Sequence, residues 1–204
     1  MKRQAYDDLL AKLLGGKLAP GELLNRRGMA AEMKMSPAPV HEAMLQLERD
    51  GFLEALPRQG TRVRTASRED VRGYLVVREA LERQAARMIC GEPVRRRLGE
   101  LKMLARAADA AGKPDEQRAR AEVAFHVALV ELADCPALTR EYRRVMRIGL
   151  FYRINLLMTM PSRAPSDRHL AFLKELAAAT PARAERCVRR HVWSGKPDVL
   201  KASP

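Results

Sequence analysis

The sequence predicts a mainly α-helical chain in two parts: three short helices closed by a β-hairpin, then an all-α antiparallel bundle of roughly six helices. Three observations lead there. Of 204 residues, 47% are hydrophobic but only 4% aromatic, and Leu, Ala and Met outnumber Val and Ile, a balance that suits packed helices better than sheets. Only the stretch after Gly51 reads as extended. From Ser67 onward, helical segments are separated by the breaks "GEP", "GKPD", "DCP", "MPSRAPS" and "TP", which are turn and helix-stop signals.

Taken in order, residues 2–15 form a helix with Ala5, Leu9, Leu10, Leu13 and Leu14 on one stripe. Gly15 and Gly16 stop it, and Pro20-Gly21 turns the chain. A short second helix covers about 26–33. Ser36 is suited to cap a third helix, and Pro37 fits its first position with a pre-set φ. That helix runs to about Asp50, with Val40, Ala43, Met44 and Leu47 facing inward, and Gly51 ends it. "FLEALPRQGTRVRT" then gives two extended runs around "PRQG", a hairpin or wing. Three helices and a wing make a winged helix-turn-helix over residues 1–66, a module that docks its third helix in the major groove of DNA. Ser67, with Asp70 three residues on, opens the second part. Helices over about 69–90, 94–111, 115–133, 137–159, 167–179 and 181–194 fill residues 67–195 as a bundle. Residues 196–204, "KPDVLKASP", read as a loose tail.

The formal charge of +13 points to an acidic partner such as nucleic acid. Its distribution does not locate the binding face: residues 1–66 hold 11 basic and 8 acidic residues, and the rest hold 27 and 17. No apolar run approaches the ~18 residues that cross a bilayer, and "MKRQAYDDLL" lacks a secretory apolar core. A cytoplasmic protein without a membrane partner is expected. Cys90, Cys135 and Cys187 are odd in number and form no C-x-x-C pair, so reduced, packed thiols are expected instead of a redox or metal role.

The strings "KLAPGELL", "MAAEMKMSPAPVHEAMLQLERDGFLEALPRQGTRV" and "VVREALERQAARM" resemble GntR-family transcription regulators. "EVAFHVALVELADCPAL", with His169 and His191, resembles the ligand-binding domain of the FCD (FadR-like) subfamily. The resemblance spans about residues 5–194. It implies a homodimer that binds a palindromic operator in double-stranded DNA and changes its grip when a small molecule enters the helical part.

Recognition helices of that family usually read S-R-x-P-V-R-E-A, where this chain has "SPAPVHEA". Ser36, Pro39, Val40, Glu42 and Ala43 keep the pattern, and Pro37 and His41 stand where arginines do. A bidentate arginine on guanine is worth ~1–3 kcal/mol of discrimination. Pro37 donates no hydrogen bond, and His41 donates one, or two when protonated. DNA contact is therefore expected from Arg27, which matches a position used by family members, from His41, and from the wing residues Arg58, Gln59, Gly60, Thr61 and Arg62. Lys34, Ser36 and Ala38 join them at the turn into the third helix.

Glu122 and His126 lie one helical turn apart and share a face. His169 and His191 each stand 11 residues from Thr180, so an antiparallel helix pair turning there sets them at one height. A third helix presenting Glu122 and His126 completes three imidazoles and a carboxylate. That set suits a divalent transition metal, zinc first, with nickel, manganese and iron as alternatives. The resemblance implies the same, because many FCD domains hold a metal with an Asp-x-x-x-His pair and two later histidines; here Glu122 takes the Asp place. The metal is expected to hold a small carboxylate effector and not to catalyse. Arg78, which matches a family arginine, and Arg153 and Asn155 on the long helix are the candidate effector contacts. No residue is assigned a catalytic role. Two other readings compete: a metal-dependent helical enzyme, and a regulator whose sequence-specific DNA reading has degraded.

Overall fold

The computed structural model describes residues 1–110, 115–155 and 167–194, without the side chains of 115, 116 and 153–155. The expected helix end over 156–159 and the expected tail over 196–204 lie outside the described residues. The chain divides into two compact units: Met1–Ser67 with Phe151–Leu157, and Arg68–Leu150 with Met158–Pro204.

The first unit runs α1 (Lys2–Leu14), β1 (Leu23–Leu24), α2 (Arg26–Glu32), α3 (Pro37–Arg49), β2 (Leu53–Leu56) and β3 (Gly60–Val63). Helix α3 packs on α1, α2 and β2, burying Val40, Ala43, Met44 and Leu47. The end of α3 is fixed by Gly51 in the left-handed region (φ 86°). The amide of Phe52 reaches Leu47 O (2.9 Å) and that of Gly51 reaches Glu48 O (3.1 Å). This double bond pattern lets the chain leave the helix with its last carbonyls satisfied, and it needs a residue without a Cβ at the turn. The strands form an antiparallel sheet in the order β1-β3-β2, with Glu54 opposite Arg62 and Leu56 opposite Gly60. Strand β1 is an addition to the expected elements; two residues are too few to show alternation.

Helix starts differ from expectation in one respect. Asn25 caps α2 with its side chain, accepting from Arg27 N and Gly28 N. Ser36 occupies the N-cap of α3 with extended dihedrals, yet its hydroxyl makes no capping bond. Such a hydroxyl bonds the second or third helical amide, and the third position here is Pro39, which has none. With Pro37 at the first position, only Ala38 and Val40 keep an amide hydrogen in that turn.

The second unit contains α4 (Arg68–Ile89), α5 (Glu92–Arg96), α6 (Leu98–Asp109), α7 (Asp115–Glu131), α8 (Pro136–Asn155), α9 (Arg168–Ala177) and α10 (Pro181–Trp193). The single helix expected over 94–111 is two, because the backbone at Arg97 leaves helical geometry (φ −107°, ψ 15°). Helix α10 packs on α4 and α9, α6 on α7 and α9, and α7 on α4. Leu75, Ile89, Leu101, Phe125, Tyr142 and Leu173 are fully buried between them. No described helix is long and apolar enough to cross a membrane. The three cysteines are free thiols.

Helices α4 and α8 meet where Gly149 leaves room for the ring of Tyr74: a Cβ on Gly149 would stand 2.1 Å from the Tyr74 hydroxyl oxygen and 2.2 Å from Cζ. Gly149→Ala is therefore expected to destabilise the protein by roughly 1–3 kcal/mol through overpacking. The urea midpoint should fall while the slope of the transition stays constant; an unchanged midpoint would show that Tyr74 can leave its place at no cost.

Candidate functional site

Each bundle histidine lies on the apolar stripe of its own helix. On α7, His126 continues the buried series Ala119, Glu122, Phe125, Leu129 and Val130. On α9, His169 shares a stripe with Phe172, Leu173 and Leu176, and on α10, His191 shares one with Ala184, Cys187 and Val188. The same periodicity that packs the helices thus turns three imidazoles inward. One ligand-capable nitrogen from each of the three lies within 4.8 Å of the others. His126 Nε2 and His191 Nε2 are 3.2 Å apart. Phe172 stacks on His191 (4.2 Å, 15°) and Phe125 meets His126 and His169 edge-on, so the rings are fixed in place.

The third ring is oriented from α6. Asp109 accepts from the backbone amides of His169 and Leu170 and lies 2.6 Å from His169 Nδ1. That contact assigns the ring proton to Nδ1 and leaves Nε2 as a lone pair. Nε2 is buried and has no hydrogen-bond partner. A carboxylate behind a ring nitrogen, with the opposite nitrogen free, is the usual arrangement around a metal-binding histidine. Metal–nitrogen bonds of ~2.0–2.1 Å at tetrahedral angles separate two ligand nitrogens by ~3.3 Å, close to the spacing of His126 and His191. The residues present therefore fit a divalent transition metal held by three imidazoles.

Protonation agrees with that fit. Burial, with His126 and Arg168 nearby, pushes His169 down to about 4. Burial holds His126 below its ordinary value against the pull of Glu82. Burial, then His126 and Arg168, holds His191 well below its own. All three rings are neutral at pH 7, the form that binds metal.

Glu122 is not brought to the same point. Its Oε2 lies 3.0 Å from Arg168 Nη2 and its Oε1 3.5 Å from Arg78 Nη1. Arg78 is 4% exposed and its Nε donates to Glu82 Oε1 at 2.6 Å. Glu82 also accepts from the Tyr142 hydroxyl. Its Oε2 lies 3.3 Å from His126 Nδ1, off the line of a good hydrogen bond. Burial alone would raise Glu82, but the Arg78 guanidinium holds it well below the usual carboxylate range. Sequence reasoning missed Asp109, Arg168, Tyr142 and Glu82. Only Glu82 carried a readable signal, an acid four residues after Arg78 on one helix face. Arg153 and Asn155 end α8, and their side chains lie outside the described residues.

The winged unit carries the other expected set. Arg27, Lys34, Ser36, Ala38, Arg58, Gln59 and Gly60 are exposed, and His41 is half-buried. Lys34 and Arg58 sit at positive φ (52° and 62°), in the turn before α3 and at the wing tip. Thr61 departs from the expected role: it is fully buried, donates to Glu48 Oε1 (2.9 Å) and accepts from Arg26 (3.4 Å), fastening β3 to α3 instead of facing solvent. Strand alternation explains this, since a residue beside the exposed tip must point to the helix face. Arg62 is partly exposed and paired with Glu54 across the hairpin (2.8 Å).

A winged module followed by an all-helical domain with an inward histidine cluster defines a class: DNA-binding transcription regulators with a helical C-terminal domain. Residues 1–63 match the profile of bacterial regulatory proteins, gntR family, and residues 74–193 match the FCD domain. The chain belongs to the gntR family, in its FCD-containing branch, and is a DNA-binding transcription regulator and not an enzyme. It is 27% identical over 198 residues to the probable D-xylose utilization operon transcriptional repressor of Paenarthrobacter nicotinovorans, covering 93% of this chain and 84% of that one. It is 29% identical over 133 residues to the HTH-type regulator YdhC of Bacillus subtilis, covering 64% of this chain but only 59% of that protein's length. Among solved structures it resembles E. coli McbR/YncC (TM-score 0.73, 22% identity, 94% and 92% covered). It also resembles a putative GntR regulator from Rhodococcus sp. RHA1 (TM-score 0.75, 18% identity, 100% and 99% covered). At those identities the likeness is one of fold.

The buried imidazoles set a pH dependence for the metal-free protein. Unfolded histidines take up protons near pH 6.5, whereas folded His169 resists until about 4. Between those values the unfolded state binds more protons, so stability falls as pH falls. The loss attributable to His169 is on the order of 3 kcal/mol across the window. Denaturant titrations of chelated protein at pH 7, 6 and 5 should show a steadily falling midpoint; a flat profile would mean that the rings are solvated.

Proposed function

We propose that the helical unit is the sensor of this regulator. His126, His169 and His191 hold a divalent transition metal, zinc first, and the adjoining guanidinium groups of Arg78 and Arg168 meet the carboxylate of a small organic acid. The winged unit grips a palindromic operator as part of a homodimer in the cytoplasm, and arrival of the acid changes that grip. The observation that carries the reading is the convergence of three buried, neutral imidazoles with one nitrogen each inside 4.8 Å. Three neutral ligands leave a divalent ion with its full charge and open positions, and those attract a carboxylate. The protein's share is to exclude water and orient the acid through Arg78. Arg78 is held charged because Glu82, first among its neighbours, outweighs the cost of its burial.

One observation favours a second reading, in which base readout is weak and phosphate contact dominates. The first turn of α3 has two prolines and no basic side chain, and Thr61 faces inward. Little then remains to read base edges except His41 and Arg27, so affinity would come largely from Arg27, Lys34 and Arg58 on the backbone.

One measurement separates the two readings of DNA contact, and a second tests the metal centre. Arg27→Ala should weaken binding to a palindromic fragment at 150 mM salt by about tenfold or more, in line with ~1–3 kcal/mol for a lost base contact. If Arg27→Ala weakens operator and scrambled DNA equally, and the salt slope drops by about one, the backbone reading is correct. His169→Ala should remove metal from the purified protein, read by elemental analysis, and leave DNA binding measurable. Full metal occupancy in that variant would rule out the three-histidine centre.

A further inference from the structure

Two guanidinium groups end on one carboxylate beside the histidine cluster. Glu122, 8% exposed, gives Oε1 to Arg78 and Oε2 to Arg168. It stands on α7 one turn before His126, and Arg168 directly precedes His169 on α9. The charge of Arg168 is felt at both His169 and His191. The carboxylate therefore sits between two guanidinium groups, on the helix that carries His126 and against the residue that precedes His169.

The arginines differ in what else holds them. Arg78 has a second acidic partner, Glu82, at 2.6 Å. Among the described residues, Glu122 is the acid paired with Arg168. A buried guanidinium stripped of its counter-ion is costly. Arg78 keeps Glu82 in any case, so it is Arg168, its side chain 16% exposed, whose counter-ion Glu122 supplies when nothing else does.

We infer that Glu122 is an internal stand-in for the effector, filling the seat of its carboxylate, and that an organic acid binds by displacing it. This rests on the reading of the helical unit as an acid sensor. When Glu122 swings out to water as the acid enters, one buried carboxylate replaces another and the charge of the interior is unchanged, so the exchange is inexpensive although each state is tightly paired. The effector's apparent dissociation constant is then its intrinsic value divided by the fraction of molecules in which Glu122 has swung away. Glu122 also connects the site to α7: its departure breaks the ion pairs that tie this helix to Arg78 on α4 and Arg168 on α9.

The test uses the full chain loaded with zinc, and acetate, succinate and citrate as probes in titration calorimetry. Glu122→Gln keeps the shape and removes the charge. It should retain zinc at the wild-type ratio and bind the best probe about tenfold tighter or more, because the competitor is gone. Arg168→Gln should retain zinc and lose the probe. Equal probe affinity in Glu122→Gln and wild type overturns the displacement proposal and leaves the sensor reading intact. Loss of zinc in Glu122→Gln also overturns it, by making Glu122 a metal ligand. If no probe binds either protein at millimolar concentration, the acid-sensor reading itself fails and the proposal with it. Should Glu122→Gln not fold, Glu122→Asp, whose shorter carboxylate reaches the arginines less well, must also bind the probe more tightly for the proposal to stand.

Discussion

The helical unit depends on keeping a set of buried charges in balance. Arg78, Glu82 and Glu122 lie in the same interior as three imidazoles, each less than a tenth exposed. An ion moved into such a place is expensive unless another charge and further hydrogen bonds meet it. Arg78 lies between two carboxylates, Glu82 also takes the Tyr142 hydroxyl, and Glu122 also takes Arg168. Within this set the two cations and two anions cancel, and the imidazoles add nothing while they stay neutral; Asp109, its side chain 8% exposed, is met by two backbone amides and His169 Nδ1 instead of a cation. Four helices, α4, α7, α8 and α9, contribute to this set, so their positions are tied together by electrostatics as well as by apolar packing.

A balanced interior is poised to accept a cation only where lone pairs already converge. That place is the histidine cluster, with Asp109 turning the ring of His169, Phe125 edge-on to His126 and Phe172 stacked on His191. The winged unit follows different physics. Its interior is almost wholly apolar, Thr61 being its one fully buried polar side chain among the described residues. Its cations stand outside, on a turn, a helix start and a hairpin tip, where water screens them until a polyanion arrives. The same chain thus joins a charge-compensated chamber to a surface that holds Arg27, Lys34 and Arg58 open to water.

Much of this was legible in the sequence, because glycine, proline and helical periodicity write local structure plainly. Gly51, Ser36 and Thr180 mark real helix ends. Equal spacing of His169 and His191 about Thr180 corresponds to rings 5.1 Å apart. What sequence did not reveal depends on partners far along the chain. Asp109 meets His169 sixty residues later, and Tyr142 meets Glu82 across the same number. No local pattern announces such pairs. The break at Arg97 was hidden for another reason: the apolar spacing runs through it, and only the backbone departs. Glu122 shares a face with His126, as its spacing requires, but the arginines that claim its carboxylate come from two other helices.

The turn between α9 and α10 has a consequence for how this domain can change over evolutionary time. His169 and His191 face each other because the chain lengths on either side of Thr180 match. Inserting or deleting one residue inside either helix would swing everything beyond it by about 100°, carrying one imidazole out of the chamber and a surface arginine in. Drift in this hairpin is thus confined to substitutions or to changes at the turn itself. The spacing of each histidine from the turn is a frozen dimension of the molecule.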